Sequence, residues 1–98
     1  MHELMPREVA GTVPALYATE EIDDPIARVR LFSCLSGWTW LVTEYDPESG
    51  DAFGLVRGFE EEWGYFSIRE MEELNRSRGF NVIERDLYFE PKPVSEAR

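Results

Sequence analysis

The chain has 98 residues, 43% of them hydrophobic and 13% aromatic, which suffices for one hydrophobic core and leaves no room for a second domain. Its 20 acidic residues outnumber its 10 basic residues and give a formal net charge of −10. This balance disfavours direct binding to nucleic acid or to an anionic membrane surface, because both attract clustered Lys and Arg side chains.

Residues 1–26 are predicted to form a short N-terminal helix followed by an acidic connector. The segment from Pro6 to Val13 fits about two helical turns, since proline is tolerated at the first helical position. The run from Glu20 to Pro25 contains four acidic residues. Their mutual repulsion, and the missing backbone donor of the proline, favour irregular chain there.

Residues 27–90 are predicted to form the core, which begins with strands. Residues 28–32 alternate arginine with apolar residues, a pattern typical of a half-buried strand. Residues 38–45 are rich in aromatic and β-branched residues, and turn-forming residues at 46–51 separate them from a second strand-like run at 52–59. The two runs predict an antiparallel hairpin.

Two glycines in the second run of this hairpin have a structural explanation. Phe53, Leu55 and Phe59 share one face of the predicted strand, while Gly54 and Gly58 lie on the other. A glycine inside a strand typically marks a bulge or the close approach of an aromatic ring. Neither glycine therefore needs a functional role.

The sharpest local signal is a capping box from Ser67 to Glu70, after a short predicted strand at 63–66. The Ser67 hydroxyl is expected to accept a hydrogen bond from the backbone amide near Glu70 and so to begin a helix over 68–78. Gly79 is a suitable residue to end that helix. A last strand is predicted at 82–89, before Pro91 and Pro93 impose an extended tail over 91–98.

Together these elements predict an α+β fold in a single domain spanning residues 1–98. The antiparallel sheet has about four to five strands, one main covering helix at 68–78 and a short N-terminal helix. No apolar run reaches the roughly 20 residues of a membrane span, and no signal-peptide pattern is present. We therefore expect a soluble, cytoplasmic protein.

The residues that catalysis and metal binding usually need are scarce. His2 is the only histidine and Cys34 the only cysteine, so Ser/His and Cys/His constellations, internal disulfides and zinc sites are not expected. Cys34 lies in an apolar stretch and is predicted to be a small core residue. Asp46, Glu48 and Asp51 lack the spacing of a calcium-binding loop. We expect no enzyme activity, no cofactor and no metal.

A carboxylate-rich segment is the candidate partner-binding surface. Residues 60–73 contain six glutamates and one arginine, a net charge of −5. One interpretation is a solvated helix face next to a strand-end turn. The other is a carboxylate array, anchored by aromatic side chains, that docks in the basic groove of a nucleic-acid-binding protein. The candidate contact residues are Glu60, Glu61, Glu62, Trp63, Glu70 and Glu73.

Two other functions fit the same composition. A small ligand-binding or enzymatic domain would have a pocket lined by Trp38, Trp40, Tyr45 and Tyr88. A homo-oligomeric structural component would associate through an exposed strand edge. A deep concave site with convergent polar groups would favour the first of these two.

Five segments distributed over nearly the whole chain carry a family resemblance: residues 16–21 (Leu-Tyr-Ala-Thr-Glu-Glu), 38–40 (Trp-Thr-Trp), 44–47 (Glu-Tyr-Asp-Pro), 53–56 (Phe-Gly-Leu-Val) and 84–91 (Glu-Arg-Asp-Leu-Tyr-Phe-Glu-Pro). The chain resembles a bacterial domain-of-unknown-function family of small acidic proteins, the DUF2958 type, often encoded on plasmids and integrative elements near antirestriction genes. The resemblance transfers no catalytic residue. It implies a cytoplasmic accessory protein of mobile elements that modulates host defence or DNA transfer and replication.

Overall fold

The structure is a computed structural model that describes residues 3–98, and its centre is an antiparallel β-sheet. In chain order the elements are α1 (Arg7–Ala10), β1 (Ile26–Ala27), β2 (Val29–Ser33), β3 (Thr39–Tyr45), β4 (Asp51–Arg57), β5 (Glu61–Ser67), α2 (Ile68–Arg78), β6 (Ile83–Arg85), β7 (Lys92–Pro93) and α3 (Val94–Ala97). Five strands form the main sheet in the order β5-β4-β3-β2-β6, and β1 pairs with β7 in a second, two-stranded sheet. The predicted α+β class is confirmed.

A separate hydrophobic cluster covers each face of the main sheet. Leu41 and Val42 are adjacent in β3, so their side chains point to opposite faces. Val42 packs in a cluster with Ile68 of α2, and we call this side the helix face. Leu41 packs with Leu55 and with Val94 of α3, and we call this side the tail face.

The helix α2 begins and ends where the sequence predicts. The Ser67 hydroxyl accepts a 3.1 Å hydrogen bond from the Glu70 amide, and Gly79 ends the helix with a left-handed φ of 78°. Asn75 is buried beneath the helix, where its side chain exchanges hydrogen bonds of 2.9 and 3.0 Å with the carbonyl and amide of Ile83. This side chain therefore ties α2 to the edge strand β6.

The predicted hairpin is confirmed as β3 and β4, and both of its glycines have the predicted kind of explanation. A Cβ on Gly58 would lie 2.6 Å from the Trp38 ring, so the ring packs directly on the glycine. A Cβ on Gly54 would lie 1.8 Å from the Leu41 carbonyl oxygen, beside a bulge in β3. Phe59 lies outside β4 in the following turn and is 96% exposed, so its predicted place in the strand is wrong.

Two further predicted elements are shorter in the structure, whereas the strand predicted at 63–66 extends over 61–67. The N-terminal helix has one turn instead of two, because the Thr12 hydroxyl bonds the Val9 carbonyl at 2.7 Å and Gly11 follows the last helical residue. The strand predicted at 82–89 stops at Arg85. The Asp86 carboxylate accepts the Tyr88 amide at 3.0 Å, which turns the chain away from the sheet.

The C-terminal tail and Cys34 also differ from expectation. Residues 91–98 were expected to be extended throughout, but they contain β7 and the helical turn α3. The Asp24 carboxylate accepts hydrogen bonds from the Ser95 amide and hydroxyl, at 3.0 and 2.5 Å, and so holds the first turn of α3. Cys34 is exposed and not a core residue, because it follows the end of β2 in a turn.

Candidate functional site

A cavity of about 260 Å³ opens on the tail face, between the sheet and the connector before β1. Four aromatic side chains line it, together with three carboxylates, and no Lys or Arg does. The aromatic residues are Tyr17, Phe53, Trp63 and Tyr65, and the acidic residues are Glu20, Asp23 and Glu44. We call this cavity the Glu44 pocket.

The strand register places three of the aromatic rings side by side. Phe53 in β4 pairs with Tyr65 in β5, and Trp63 is two residues from Tyr65 on the same face. The Phe53 ring stacks on Trp63 with centroids 5.9 Å apart and meets Tyr65 at 4.9 Å. Tyr17, from the connector, meets Tyr65 edge-on at 6.4 Å. The rings form a continuous wall with faces open to solvent, since Trp63 is 44% exposed and Tyr65 58% exposed.

A β-bulge places Glu44 in this wall. Val42 pairs with Gly54, so a regular ladder would pair Thr43 with Phe53, but Phe53 instead faces Glu44. The extra residue is Thr43, whose hydroxyl donates to the Phe53 carbonyl at 3.1 Å. Without the bulge, alternation would direct Glu44 to the helix face with Val42. The bulge therefore turns a carboxylate out of the core and into the pocket.

The Glu44 carboxylate is almost completely buried and organises the connector. It is 2% exposed and accepts hydrogen bonds from the Tyr17 amide at 2.8 Å, the Thr19 amide at 2.9 Å and the Thr19 hydroxyl at 2.5 Å. Tyr17 has a left-handed φ of 72°, which is unusual for a residue with a side chain. Backbone amides that converge beside a left-handed residue form a concave anion site, here filled by the Glu44 side chain.

All the charged side chains that line the pocket are negative. Burial, a hydrogen bond with the Tyr17 hydroxyl and the negative charges of Glu44 and Glu20 raise the pKa of Tyr65 above its ordinary value of 10.0. The negative charges of Glu44 and Glu20 disfavour a second anion in the pocket. They favour a positively charged group there for the same reason.

The structure separates the carboxylates of the predicted partner-binding surface. Glu60 lies in the turn before β5, and Glu61 and Glu62 begin that strand, whereas Glu70 and Glu73 lie on α2 beyond its other end. A strand of seven residues is about 20 Å long, so the two groups do not form one array.

Only Trp63, of the predicted contact residues, lines the Glu44 pocket. Glu61 lies on the same face but forms 2.8 Å ion pairs with Arg57 and Arg98, so much of its charge is compensated. Glu70 lines a neighbouring, more open depression that includes Tyr65 and Ser67.

The aromatic residues of the alternative prediction do not line a common pocket. Tyr45 is buried in the helix-face cluster and Trp40 packs against that cluster. Trp38 lies against Gly58 and Phe59, while Tyr88 is 94% exposed in the turn after β6. The chain does have an aromatic-lined pocket, but other residues build it.

Sequence reasoning missed Glu44, Tyr17 and Phe53 as site residues. One signal was available: a glutamate within a run of aromatic and β-branched residues is out of place in a buried strand, unless a partner or a bulge accommodates it. The glycine at position 54 was a second indication of a bulge, because a glycine inside a strand typically marks one. Tyr17 carries no local signal, because its position depends on a contact 27 residues away.

Residues 3–98 contain neither a candidate membrane span nor a candidate metal site. No helix in this range is long and apolar enough to cross a membrane. No three His, Cys, Asp or Glu side chains in the described part of the chain come together as ligands of a metal ion would.

Comparison with known protein families places the chain in a described family. A family model described as a protein of unknown function, DUF2958, matches residues 7–96. The match includes every strand and all residues of the Glu44 pocket. No curated protein and no solved structure matches the chain.

Proposed function

The chain belongs to the DUF2958 family, whose description assigns no activity, and we propose that it is an acidic protein-binding module. In this proposal the partner is a basic protein, and an Arg or Lys side chain of the partner enters the Glu44 pocket. The earlier interpretation of an acidic contact surface is kept, but its centre moves from the glutamates at 60–62 to the pocket that contains Trp63.

One observation carries the proposal: a buried carboxylate lies among four aromatic rings, with no Lys or Arg lining the cavity. A cation over an aromatic face is attracted by the ring quadrupole, and the attraction grows when the site excludes water. The Glu44 charge adds a Coulomb attraction that the low dielectric of the pocket strengthens. Glu20 and Asp23, both exposed at the rim, extend the same sign of charge to the surface.

The surroundings of the pocket favour a macromolecular partner. Tyr17, Trp63 and Tyr65 are all at least 44% exposed, and large aromatic residues of this kind are typical anchors of protein interfaces. The net charge of −10 would steer a basic partner toward this surface at long range. Proteins that handle DNA carry clustered Lys and Arg, so they are the class that this surface fits best.

The cellular role follows from the partner class. We place the protein in the cytoplasm as an accessory factor of mobile genetic elements, which binds a DNA-handling or host-defence protein. The resemblance described from the sequence supports this role by association only, whereas the pocket supports the partner's charge.

The first experiment tests the pocket with a matched pair of peptides. A glycine-flanked arginine peptide and the same peptide with citrulline, the neutral isostere of arginine, are titrated into the ¹⁵N-labelled protein. We expect the arginine peptide to shift the Trp63 indole resonance and the Thr19 amide, with little change at Trp38. Equal shifts from the citrulline peptide would show that charge is not what the pocket recognises.

The second experiment tests the partner. Basic proteins are captured from a bacterial lysate with the wild type, with Trp63→Ala/Tyr65→Ala, and with Phe59→Ala/Tyr88→Ala, whose residues are exposed aromatics outside the pocket. We expect only the pocket variant to lose a DNA-handling protein. Unchanged capture by the pocket variant would contradict the proposal. If a further variant with the charges of Glu60 and Glu62 reversed then lost the captured protein, the contact surface would be the one predicted from the sequence.

A small organic cation is the second candidate ligand, because the same ring and carboxylate arrangement recognises quaternary ammonium groups. Titration with choline tests it on the same resonances. Saturation by choline well below the concentration needed for the arginine peptide would favour a small-ligand-binding domain over a protein-binding module.

A further inference from the structure

A second cleft, of about 210 Å³, differs from the Glu44 pocket in charge, because its walls contain two arginines. Arg28 precedes β2 and Arg85 ends β6. Glu8 of the one-turn helix α1, and Thr12 just after that helix, close the cleft. The cleft shares no residue with the Glu44 pocket.

The two arginines have buried side-chain donors without acceptors in the described part of the chain. The Nε atoms of Arg28 and Arg85 are buried and have no hydrogen-bond partner among the described residues. By contrast, Arg57 and Arg98 each form a 2.8 Å ion pair with Glu61. A buried donor without an acceptor is costly, and such a group calls for a bound water or ion.

The excess of carboxylates in this chain does not satisfy these donors. Two acidic residues line the cleft, and one of them, Asp86, is already engaged: it pairs with Arg30 at 3.3 Å and accepts the Tyr88 amide at 3.0 Å. The other, Glu8, is exposed on α1 and takes part in none of the ion pairs among residues 3–98. Among residues 3–98 neither guanidinium group has an acceptor in a hydrogen bond or ion pair, so the donors that face the cleft are left for an external acceptor.

We propose that the cleft between Arg28 and Arg85 binds a small oxyanion of the phosphate class. Guanidinium groups present parallel N–H donors that match phosphate oxygens. Two of them in one cleft complement the charge of a doubly negative phosphate best. Leu87, 68% exposed, and Phe89 give the cleft an apolar rim, which suits the organic part of a phosphate monoester. This site is independent of the function proposed for the Glu44 pocket.

The test follows the Nε–H resonances of Arg28 and Arg85 in ¹⁵N-labelled full-length protein at constant ionic strength. Inorganic phosphate, phenyl phosphate and acetate are the three probes. We expect saturable shifts of both resonances with phosphate, tighter binding of phenyl phosphate, and binding of acetate weaker by at least about tenfold. Equal affinity for free phosphate and the monoester identifies free phosphate as the ligand source, and acetate binding as tight as phosphate overturns the phosphate assignment.

Four variants decide whether the arginines make the site. Arg85→Gln is expected to weaken phosphate binding at least about tenfold, whereas Arg78→Gln, at the exposed end of α2, should leave it unchanged. Glu8→Gln should strengthen binding, because it removes a like charge from the wall of the cleft. If Arg85→Gln does not fold, Arg28→Lys keeps the charge, loses the fork of donors and should still weaken binding.

Two further results overturn the proposal. One is the absence of any saturable shift at the Arg28 and Arg85 resonances, which would mean that only water satisfies these donors. The other is a phosphate affinity that responds equally to Arg85→Gln and Arg78→Gln, which would mean that phosphate senses net charge and not the cleft.

Discussion

Glu44 lies directly across from Phe53 in the β3–β4 ladder, one residue out of the register that pairs Val42 with Gly54. The single extra residue, Thr43, changes the face on which the carboxylate lies. Position 54, beside the bulge, is a glycine because a Cβ there would lie 1.8 Å from the Leu41 carbonyl oxygen. The bulge that places Glu44 in the pocket and the close approach at Gly54 are thus neighbours in one ladder.

Substitution of Gly54 by alanine tests this relationship. The new Cβ would lie 1.8 Å from the Leu41 carbonyl oxygen, a backbone atom that can move only with its strand. We expect Gly54→Ala to lower the free energy of unfolding by about 3 kcal/mol or more in urea titrations.

Gly64, the cross-strand partner of Gly54, provides the matched control. A Cβ at position 64 meets no atom within 4 Å, so Gly64→Ala should change stability by less than about 1 kcal/mol, in the stabilising direction. Similar effects at the two positions would contradict the close approach of the Leu41 carbonyl as the reason for the glycine at 54.

Replacing Glu44 with glutamine should loosen the connector without removing side-chain volume. The NH₂ group of the glutamine would face the backbone N–H of Tyr17 or Thr19, which needs an acceptor. The negative charge that strengthens these hydrogen bonds would also be lost. We expect a loss of about 2–3 kcal/mol in unfolding free energy and faster hydrogen exchange at the Thr19 amide. Glu62→Gln, at an exposed position on β5, should stay within about 0.5 kcal/mol of wild type. Equal stability of the two variants would mean that the carboxylate does not hold the connector.

The buried side chain of Asn75 predicts a cost for opening the edge of the sheet. Asn75→Ala would leave the amide and carbonyl of Ile83 without partners in a buried environment. We expect a destabilisation of about 3 kcal/mol, with faster hydrogen exchange concentrated at Ile83 in β6. Ser77→Ala, on the exposed side of the same helix, should change stability by less than about 0.5 kcal/mol. If β6 exchanges at the wild-type rate in Asn75→Ala, this side chain does not anchor the strand.

The link between the connector and α3 predicts a pH dependence. Hydrogen bonds from the Ser95 hydroxyl and amide hold the pKa of Asp24 below its ordinary value of 3.8, and the charge of Arg98 contributes in the same direction. Because the folded-state pKa is the lower one, the stabilisation is present above pH 3.8 and is lost as the pH falls through the folded-state pKa.

Titration of the Asp24 carboxyl carbon by NMR measures this shift. Ser95→Ala removes the hydroxyl donor, the largest cause, and should raise the pKa of Asp24 toward 3.8. Ser49→Ala removes a comparable hydroxyl bond to Asp46 and should leave the Asp24 titration unchanged. An Asp24 pKa that does not move in Ser95→Ala would exclude the hydroxyl as its cause.

Local sequence signals determined a large part of this protein. The capping box at Ser67 and the glycine at 79 define α2 to the residue, and the turn formers at 46–51 define the β3–β4 hairpin, because these signals act between residues close in the chain. The excess of acidic residues likewise determined the net charge of −10. Where the local signal was weak, as at Asp86, a turn shortened the predicted strand.

Only the tertiary structure decided where the site lies. The Glu44 pocket needs a bulge that changes the face of one side chain, a strand register that aligns Phe53 with Tyr65, and a connector held 27 residues away from Glu44 in sequence. The Arg28–Arg85 cleft likewise joins residues from two ends of the core. Such contacts follow from the packing of the whole chain, and a one-residue change of register, which no local pattern reveals, moves a side chain from the core to a surface pocket.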